Sequence, residues 1–380
     1  MKVFHIADLH IGKKMYGHSL TEDQAFILDQ IVQLASLHRP DAVLICGDVY
    51  DRRDPSAQSV AMLDDFLTRL SDVTKVMMIS GNHDSPERLA YAGRLLSSRG
   101  VYVSPVYDKT VRRVDLEDRF GCVHFYLLPY IRPSMAARFF ELEDAGSYTD
   151  AVRAAIGAMD VDFSQRNVLL SHQFVTGASV CESEEILVGG LENVDGSVYD
   201  GFDYVALGHI HTPQNVRAGS RIRYAGTPLK YSFSEASDRK SVTQVTLGEK
   251  GDVQVDCLGL TPMREVSMIT GAFDEVRLSA YGEEKGILDN YLSVTLTDET
   301  EALNAFQTLR AVYPNILQMR YERSGRIVDA QIPQEEDIAS KSPLELFEDF
   351  YRQQNGVEMS DDQAAYVTDL IRQLEASGKR

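Results

Sequence analysis

Cysteine is scarce in this chain: four in 380 residues, Cys46, Cys122, Cys181 and Cys257, far apart and with no Cys-x-x-Cys pair. That spacing argues against a disulfide framework or cysteine zinc ligands and leaves the four as reduced thiols in core or surface positions. No uninterrupted apolar run is long enough to cross a bilayer, and strand-like residues follow Met1 at once instead of a charged-apolar-small leader. The expectation is a cytoplasmic protein with no membrane partner. A Gly-x4-Gly-Lys-[Ser/Thr] loop is also missing, so any dependence on ATP has to come from another protein. Basic residues are outnumbered, 38 against 57 acidic, for a formal charge of −19. Nucleic acid gripped over the whole surface is thereby excluded, but a local basic rim is not.

What the chain does have is a large apolar fraction, 44% over 380 residues, enough for a sizeable core in two or three domains. Its centre is the stretch Ala42 to Asp51, where the uncharged run to Cys46 reads as a strand of a parallel sheet buried on both faces. Gly47 and Asp48 follow at its carboxyl end, where open α/β sheets bind their ligands. Two further strands end the same way: Lys2 to Ala7 delivers Asp8-Leu9-His10, and Lys75 to Ile79 delivers Gly81-Asn82-His83-Asp84. Residues two apart at a strand end can face one point, so Asp8 and His10 can reach one metal. Between these strands, Thr21 to Leu37 and the stretch opened by Pro55-Ser56 carry apolar residues at helical spacing. Ser85-Pro86-Glu87-Arg88 supplies an N-cap, an N1 proline and an acidic first turn. Strands near Val101 and from Val123 to Leu128 are expected to continue the sheet, and Thr149 to Met159 reads as a helix. Val168 to Ser171 ends in His172-Gln173, and Val205 to Leu207 ends in Gly208-His209-Ile210-His211. Five of nine histidines thus sit at strand ends; His5, His18, His38 and His124 remain structural or surface residues.

Oxygen ligands with neutral imidazoles and no thiolate suit Mn²⁺, Fe²⁺, Zn²⁺ or Co²⁺. A carboxylate shared by two such ions holds them about 3.5–4 Å apart, the spacing that activates water for in-line phosphoryl displacement, and Asp48 fits that bridging place. His83 is placed to protonate the leaving alkoxide, with Asp84 expected to orient it. The chemistry expected is metal-assisted phosphoester hydrolysis.

The pattern Asp-x-His, Gly-Asp-x-x-Asp, Gly-Asn-His-Asp, His and Gly-His-x-His is present in order, and by it the sequence resembles the calcineurin-like metallophosphoesterase superfamily. The resemblance implies a four-layer α/β/β/α sandwich. It also implies one metal held by Asp8, His10, Asp48 and His211, a second by Asp48, Asn82, His172 and His209, and His83 as the catalytic imidazole. Arg53 and Asp84 depart from the Gly and Glu typical of the phosphoprotein phosphatases. The segments Asp8 to Lys14, Ser171 to Gln173, Gly208 to Gln214 and Tyr224 to Glu235 are instead similar to the SbcD family of nuclease subunits. That likeness implies a phosphodiesterase acting on DNA with Mn²⁺ as the usual metal, as exonuclease on double-stranded ends and endonuclease on single strands or hairpins. Lys13, Lys14, Tyr16, Arg52 and Arg88 are the candidates for contacts to the phosphate backbone. The rival is a calcineurin-like phosphodiesterase acting on a nucleotide or small phosphodiester, favoured by the acidic net charge.

Residues 1–260 are expected to form the nuclease domain, and from Thr261 the pattern changes to a small α+β capping domain over 261–332, with strands at Val266 to Ile269, Tyr291 to Leu296 and Ile316 to Tyr321 and a helix from about Thr300 to Val312. A polar linker, 333–341, leads to two capped amphipathic helices over 342–380. By resemblance, this tail docks on the coiled-coil base of an SbcC-type ATPase subunit in a heterotetramer built on a homodimer.

Overall fold

A computed structural model describes residues 1–140, 146–179, 181, 193–216, 221–323, 326–329, 363–364 and 367–368. Two six-stranded sheets stack face to face. The first runs, in spatial order, Val253–Gly259, Ser241–Leu247, Lys2–Ile6, Ala42–Cys46, Lys75–Ile79 and Val101–Val103. Its last four strands run parallel and are largely apolar, Ser241–Leu247 pairs antiparallel with Lys2–Ile6, and Val253–Gly259 pairs antiparallel with Ser241–Leu247. The second runs Gln214–Asn215, Ile222–Tyr224, Tyr204–Gly208, Arg166–His172, Gly121–Leu127 and Arg112–Asp118. The Val101 strand extends the first sheet as expected, but Gly121–Leu127 belongs to the second, between Arg112–Asp118 and Arg166–His172. Val123, Phe125 and Leu127 point at Leu44, Met77 and Ile79 across the inter-sheet core, so these strands face each other instead of pairing edge to edge.

The other face of each sheet is covered by helices. Ile27, Ile31, Phe66 and Leu70, on Thr21–His38 and Ala57–Ser71, pack on Phe4, Ile6, Val43 and Ile45. Tyr148, Ala151, Val152 and Ala155, on Tyr148–Gly157, pack on Tyr126, Leu169 and Val205. The result is the expected α/β/β/α sandwich. Ser56 caps the second helix by accepting from the Ser59 amide, and Ser147 with Asp150 forms a capping box on the third.

Beyond Gly259 a four-stranded sheet, Val266–Gly271, Tyr291–Leu296, Ile316–Arg323 and Arg326–Asp329, builds its own core with the Ala305–Val312 helix. That helix begins later than the sequence pattern suggested, because Asn304 adopts a left-handed φ of 54° directly before it. At the seam, Arg264 and the Tyr291 hydroxyl both bond the buried Asp23 carboxylate, at 2.9 and 2.7 Å. The expected linker lies outside the described residues, as does the helical tail apart from 363–364 and 367–368, which are helical.

Candidate metal centre

The carboxyl ends of both sheets meet at one place. Asp8, His10, Asp48, His172, His209 and His211 are all at most 5% exposed there. Six charged or imidazole side chains are not buried together without partners or a cation, since unpaired burial is strongly unfavourable. The backbone is bent to present them: Asp8, His10, Asp48 and His209 have φ of 52°, 43°, 46° and 102°, a region uncommon for any residue but glycine. Such strain is typical of functional sites, at about 1–3 kcal/mol per residue. Glycines give the room. A Cβ on Gly81 would land on the Asp48 carboxylate, and one on Gly208 would strike the Cys46 carbonyl that His172 uses.

Two donor sets face each other across Asp48. In one, Asp8, His10 and His211 offer ligand atoms within 4.8 Å of one another, and in the other Asp48, His172 and His209 do so. The His10 and His211 Nε2 atoms are 3.2 Å apart. Asp48 Oδ2 lies 3.3 Å from His172 Nε2, 3.8 Å from His10 Nε2 and 3.9 Å from His83 Nε2. Asn82 Oδ1 lies 2.9 Å from His172 Nε2 and 3.0 Å from His209 Nδ1. Asp8, His10, Asp48, Asn82, His172, His209 and His211, the residues expected to hold metal, thus lie close together, with Asp48 between His10 and His172.

Several ring orientations are set by backbone carbonyls. His172 Nδ1 donates to the Cys46 carbonyl at 2.8 Å, which turns Nε2 to Asp48 and Asn82. His83 Nδ1 donates to the Asp51 carbonyl at 3.0 Å, which turns its Nε2 to the site, while its backbone amide donates to Asp48 Oδ1 at 2.9 Å. Burial pushes His209 down to about 3 and His10 well below the imidazole range, so both rings stay neutral, as metal ligands must be. Burial opposes charge on His172 most strongly, but the charge and hydrogen bond of Asp48, with the Asp8 charge and the Cys46 carbonyl, together lift the imidazole to about 9. A cation held there by His172 and Asp48 would take over the role of this proton. His5, buried as well, is pushed to about 3 by burial and lies against the Tyr204 hydroxyl and the Leu207 carbonyl, a structural residue as expected.

Asp84 takes a different place from the one expected. Its carboxylate accepts from the amides of Val49, Tyr50 and Gly81, at 3.1, 2.9 and 2.9 Å, and so ties the loop carrying Asp48 to the loop carrying Asn82 and His83. It positions backbone, while the Asp51 carbonyl holds the His83 ring.

Further residues escaped sequence reasoning. Gln24 donates to the His10 carbonyl at 2.7 Å and accepts from Gly12 at 2.9 Å, clamping the first ligand loop from the neighbouring helix. Tyr231 donates to the Leu9 carbonyl at 2.5 Å. Glu235, fully buried, pairs with Lys240, whose Nζ donates to the His211 carbonyl at 2.9 Å. Glu235 lies in the segment already compared with the SbcD family and Asp51 completes Gly-Asp-x-x-Asp, so those two carried a signal. Gln24 on an amphipathic helix carried none.

Of the expected phosphate contacts, Lys14 and Arg52 share a groove of about 420 Å³ with Asp51 and Asp54. Lys13 is paired with Asp51 at 3.0 Å, and Tyr16 packs on Phe233 with ring centroids 5.2 Å apart. Arg88 pairs with Asp54 and lines a different cavity with Tyr50, Leu63 and Tyr91. It is therefore not brought to the same groove.

The calcineurin-like phosphoesterase profile matches residues 1–213, and that of the type 5 capsule protein repressor C-terminal domain, the SbcD-type C-terminal domain, matches 260–355. Among solved structures, the chain is similar to a dimetal phosphatase from Danio rerio, at 13% identity over 68% of this chain and 96% of that one, TM-score 0.41. It is similar to TT1561 of Thermus thermophilus, at 13% identity over 67% and 98%, TM-score 0.39. It is also similar to the Pseudomonas putida nuclease MPE, at 27% identity over 28% and 51%, TM-score 0.20. Divalent metal ions are implied by the family, and the convergent donor sets, with a buried His10 Nδ1 that has no hydrogen-bond partner among the described residues, fit them. With the first profile spanning more than half of the sequence, the chain belongs to the calcineurin-like phosphoesterase family and carries the C-terminal domain of SbcD-type proteins.

Proposed function

We propose that this metal-dependent phosphodiester hydrolase cuts DNA, as the nuclease subunit of an SbcCD-type complex, with Mn²⁺ as its metal and an SbcC-type ATPase subunit and DNA as partners. The observation that carries the reading is the pair of donor sets, Asp8 with His10 and His211 and Asp48 with His172 and His209, beside an imidazole whose Nε2 lies 3.9 Å from Asp48 Oδ2. Asp8, His10, Asp48 and His211 would hold one ion, and Asp48, Asn82, His172 and His209 the other. When bound, such ions lower the pKa of a coordinated water and neutralise charge on the phosphoryl oxygens.

The chain's own residues do the rest. His83, in its protonated form, keeps Nδ1–H on the Asp51 carbonyl and gives its Nε2 proton to the leaving oxygen, from a place 3.9 Å from Asp48 Oδ2. Lys14 and Arg52, in the groove beside Asp51, are suited to hold the phosphate backbone without reading bases. Exonuclease action on double-stranded ends and endonuclease action on single strands or hairpins belong to this proposal. So does its organisation: a nuclease unit over 1–260, a capping unit over 261–332 and a partner-binding tail over 342–380.

A net charge of −19 favours a second reading, a phosphodiesterase for a nucleotide or other small diester. The test gives the purified chain Mn²⁺ with end-labelled duplex and hairpin DNA, and separately a chromogenic phosphodiester, each alongside His83→Ala. DNA cleavage lost in the variant supports the nuclease reading. Cleavage of the small diester alone, with DNA left intact even after an SbcC-type partner and ATP are added, supports the second.

A further inference from the structure

The second sheet ends in an antiparallel hairpin, Arg112–Asp118 with Gly121–Leu127. Alternation sends Val114, Leu116, Val123 and Phe125 into the inter-sheet core, so Asp115, Glu117, Cys122 and His124 share the outward face. The register sets Asp115 opposite His124 and Glu117 opposite Cys122. Carboxylate, carboxylate, thiol and imidazole therefore form a two-by-two block, with directly opposed Cβ atoms about 4.5–5.5 Å apart. Sequence spacing argued against cysteine as a zinc ligand and left His124 as a structural or surface residue; strand pairing supplies what spacing lacked.

The distances match a tetrahedral metal. His124 Nδ1 is 3.7 Å from Cys122 Sγ and 2.8 Å from Asp115 Oδ1. With Zn–S about 2.3 Å and Zn–N about 2.0–2.1 Å, the S···N edge of a tetrahedron is about 3.5 Å. The Cys–His edge is thus nearly set, and the Asp–His edge has to open by about 0.5 Å from its hydrogen-bonded length. We propose that Asp115, Cys122 and His124, with Glu117 able to swing in as a fourth ligand, form a thiolate-containing Zn²⁺ site separate from the metal centre between the sheets.

The softer donor set separates the two sites. A thiolate selects Zn²⁺ over Mn²⁺, whereas the strand-end sets offer only imidazole, carboxylate and amide. Burial, with the Asp115 and Glu117 charges, holds the free Cys122 thiol above its ordinary range. Zn²⁺ therefore binds with release of the Sγ proton to solvent, the neutral imidazole keeps its single proton on Nε2 and offers Nδ1, and the bonds formed are Zn–S, Zn–N and Zn–O. The Arg113 guanidinium, 3.1 Å from Asp115 and half exposed, is the resident cation that Zn²⁺ displaces. The bound ion cross-links an edge strand to its neighbour, at the place where an open sheet invites unwanted pairing.

Co²⁺ is the probe. Full-length protein stripped with chelator is titrated with Co²⁺ and followed in the near ultraviolet for thiolate-to-metal charge transfer, then back-titrated with Zn²⁺. A band whose final amplitude corresponds to one thiolate-bound Co²⁺ per chain, reached once the strand-end donor sets are also filled, and abolished by Zn²⁺, is expected. Cys122→Ser should lose it, while Cys181→Ser, the control for the thiol near His211 and Glu235, should keep it. His124→Ala should weaken Co²⁺ binding at this site at least tenfold. A wild type without the band, or a band surviving Cys122→Ser, overturns the proposal. A measurement free of variants is the rate of Cys122 alkylation, located by mass spectrometry: Zn²⁺ should slow it at least tenfold, and an unchanged rate overturns the proposal as well.

Discussion

Asp84 offers a test in which two opposing energies can be compared. Its carboxylate serves three buried amides, each a hydrogen bond to a charged acceptor that contributes about 1.5–3 kcal/mol. Against this, burial and the Asp48 charge push the carboxyl from 3.8 up to about 6, while the three amide bonds pull it down. Holding the ionised form above pH 6 therefore costs the folded state about 3 kcal/mol. Replacing Asp84 by Ala orphans all three donors and relieves that cost, for a net loss of about 2–5 kcal/mol at pH 7.5. Replacing it by Asn keeps one oxygen where Oδ2 now accepts from Val49 and Gly81, and sacrifices chiefly the Tyr50 bond, so the loss should stay below about 2 kcal/mol. The sign with pH follows from the raised pKa. Between about pH 4 and 6 the folded state holds a proton that the unfolded chain has lost, so wild-type stability falls across that window as pH rises, and the neutral Asn variant escapes the fall. The penalty of Asp84→Asn should thus shrink with rising pH. Urea unfolding of metal-free protein at several pH values measures this. An Asp84→Ala variant within about 0.5 kcal/mol of wild type, or an Asn penalty that grows with pH, would refute the reasoning.

Gly81→Ala should cut phosphodiesterase activity by about a hundredfold or more with the circular dichroism spectrum retained, because the new methyl has to displace the Asp48 carboxylate; near-wild-type turnover would show that the loop has slack. Glu235→Ala leaves the buried Lys240 without its main partner and should cost about 3–5 kcal/mol, read as a lower urea midpoint, with a change under about 1 kcal/mol speaking against the pair. Tyr291→Phe deletes a bond to the buried Asp23 and should cost about 1–3 kcal/mol; Arg264→Ala in the same assay tells whether the seam depends more on charge. Chelation should lower the thermal midpoint and addition of Mn²⁺ restore it, since ions that bind only the folded chain stabilise it by mass action; a midpoint indifferent to metal would count against an ion-holding centre.

The reach of the sequence differs from element to element. Ala42 to Cys46 and Lys75 to Ile79 were legible as buried parallel strands because burial on both faces demands an unbroken apolar run. The ligands were legible because a carboxylate, amide or imidazole placed just after such a run has nothing to pack against and points to the strand ends. The sheet to which Gly121–Leu127 belongs was not legible, since alternating residues define a face and not a partner. Tertiary structure alone placed Gln24, some fourteen residues from the loop it clamps, turned Asp84 from the imidazole to three backbone amides, and set Cys122 beside His124 and Asp115 on one exposed face. The chain by itself determined which residue types reach the ends of the strands, because local periodicity and glycine placement are written residue by residue. Only the stacking of two sheets decided which of them meet, since contacts across a hundred or more residues depend on a register that no single segment carries.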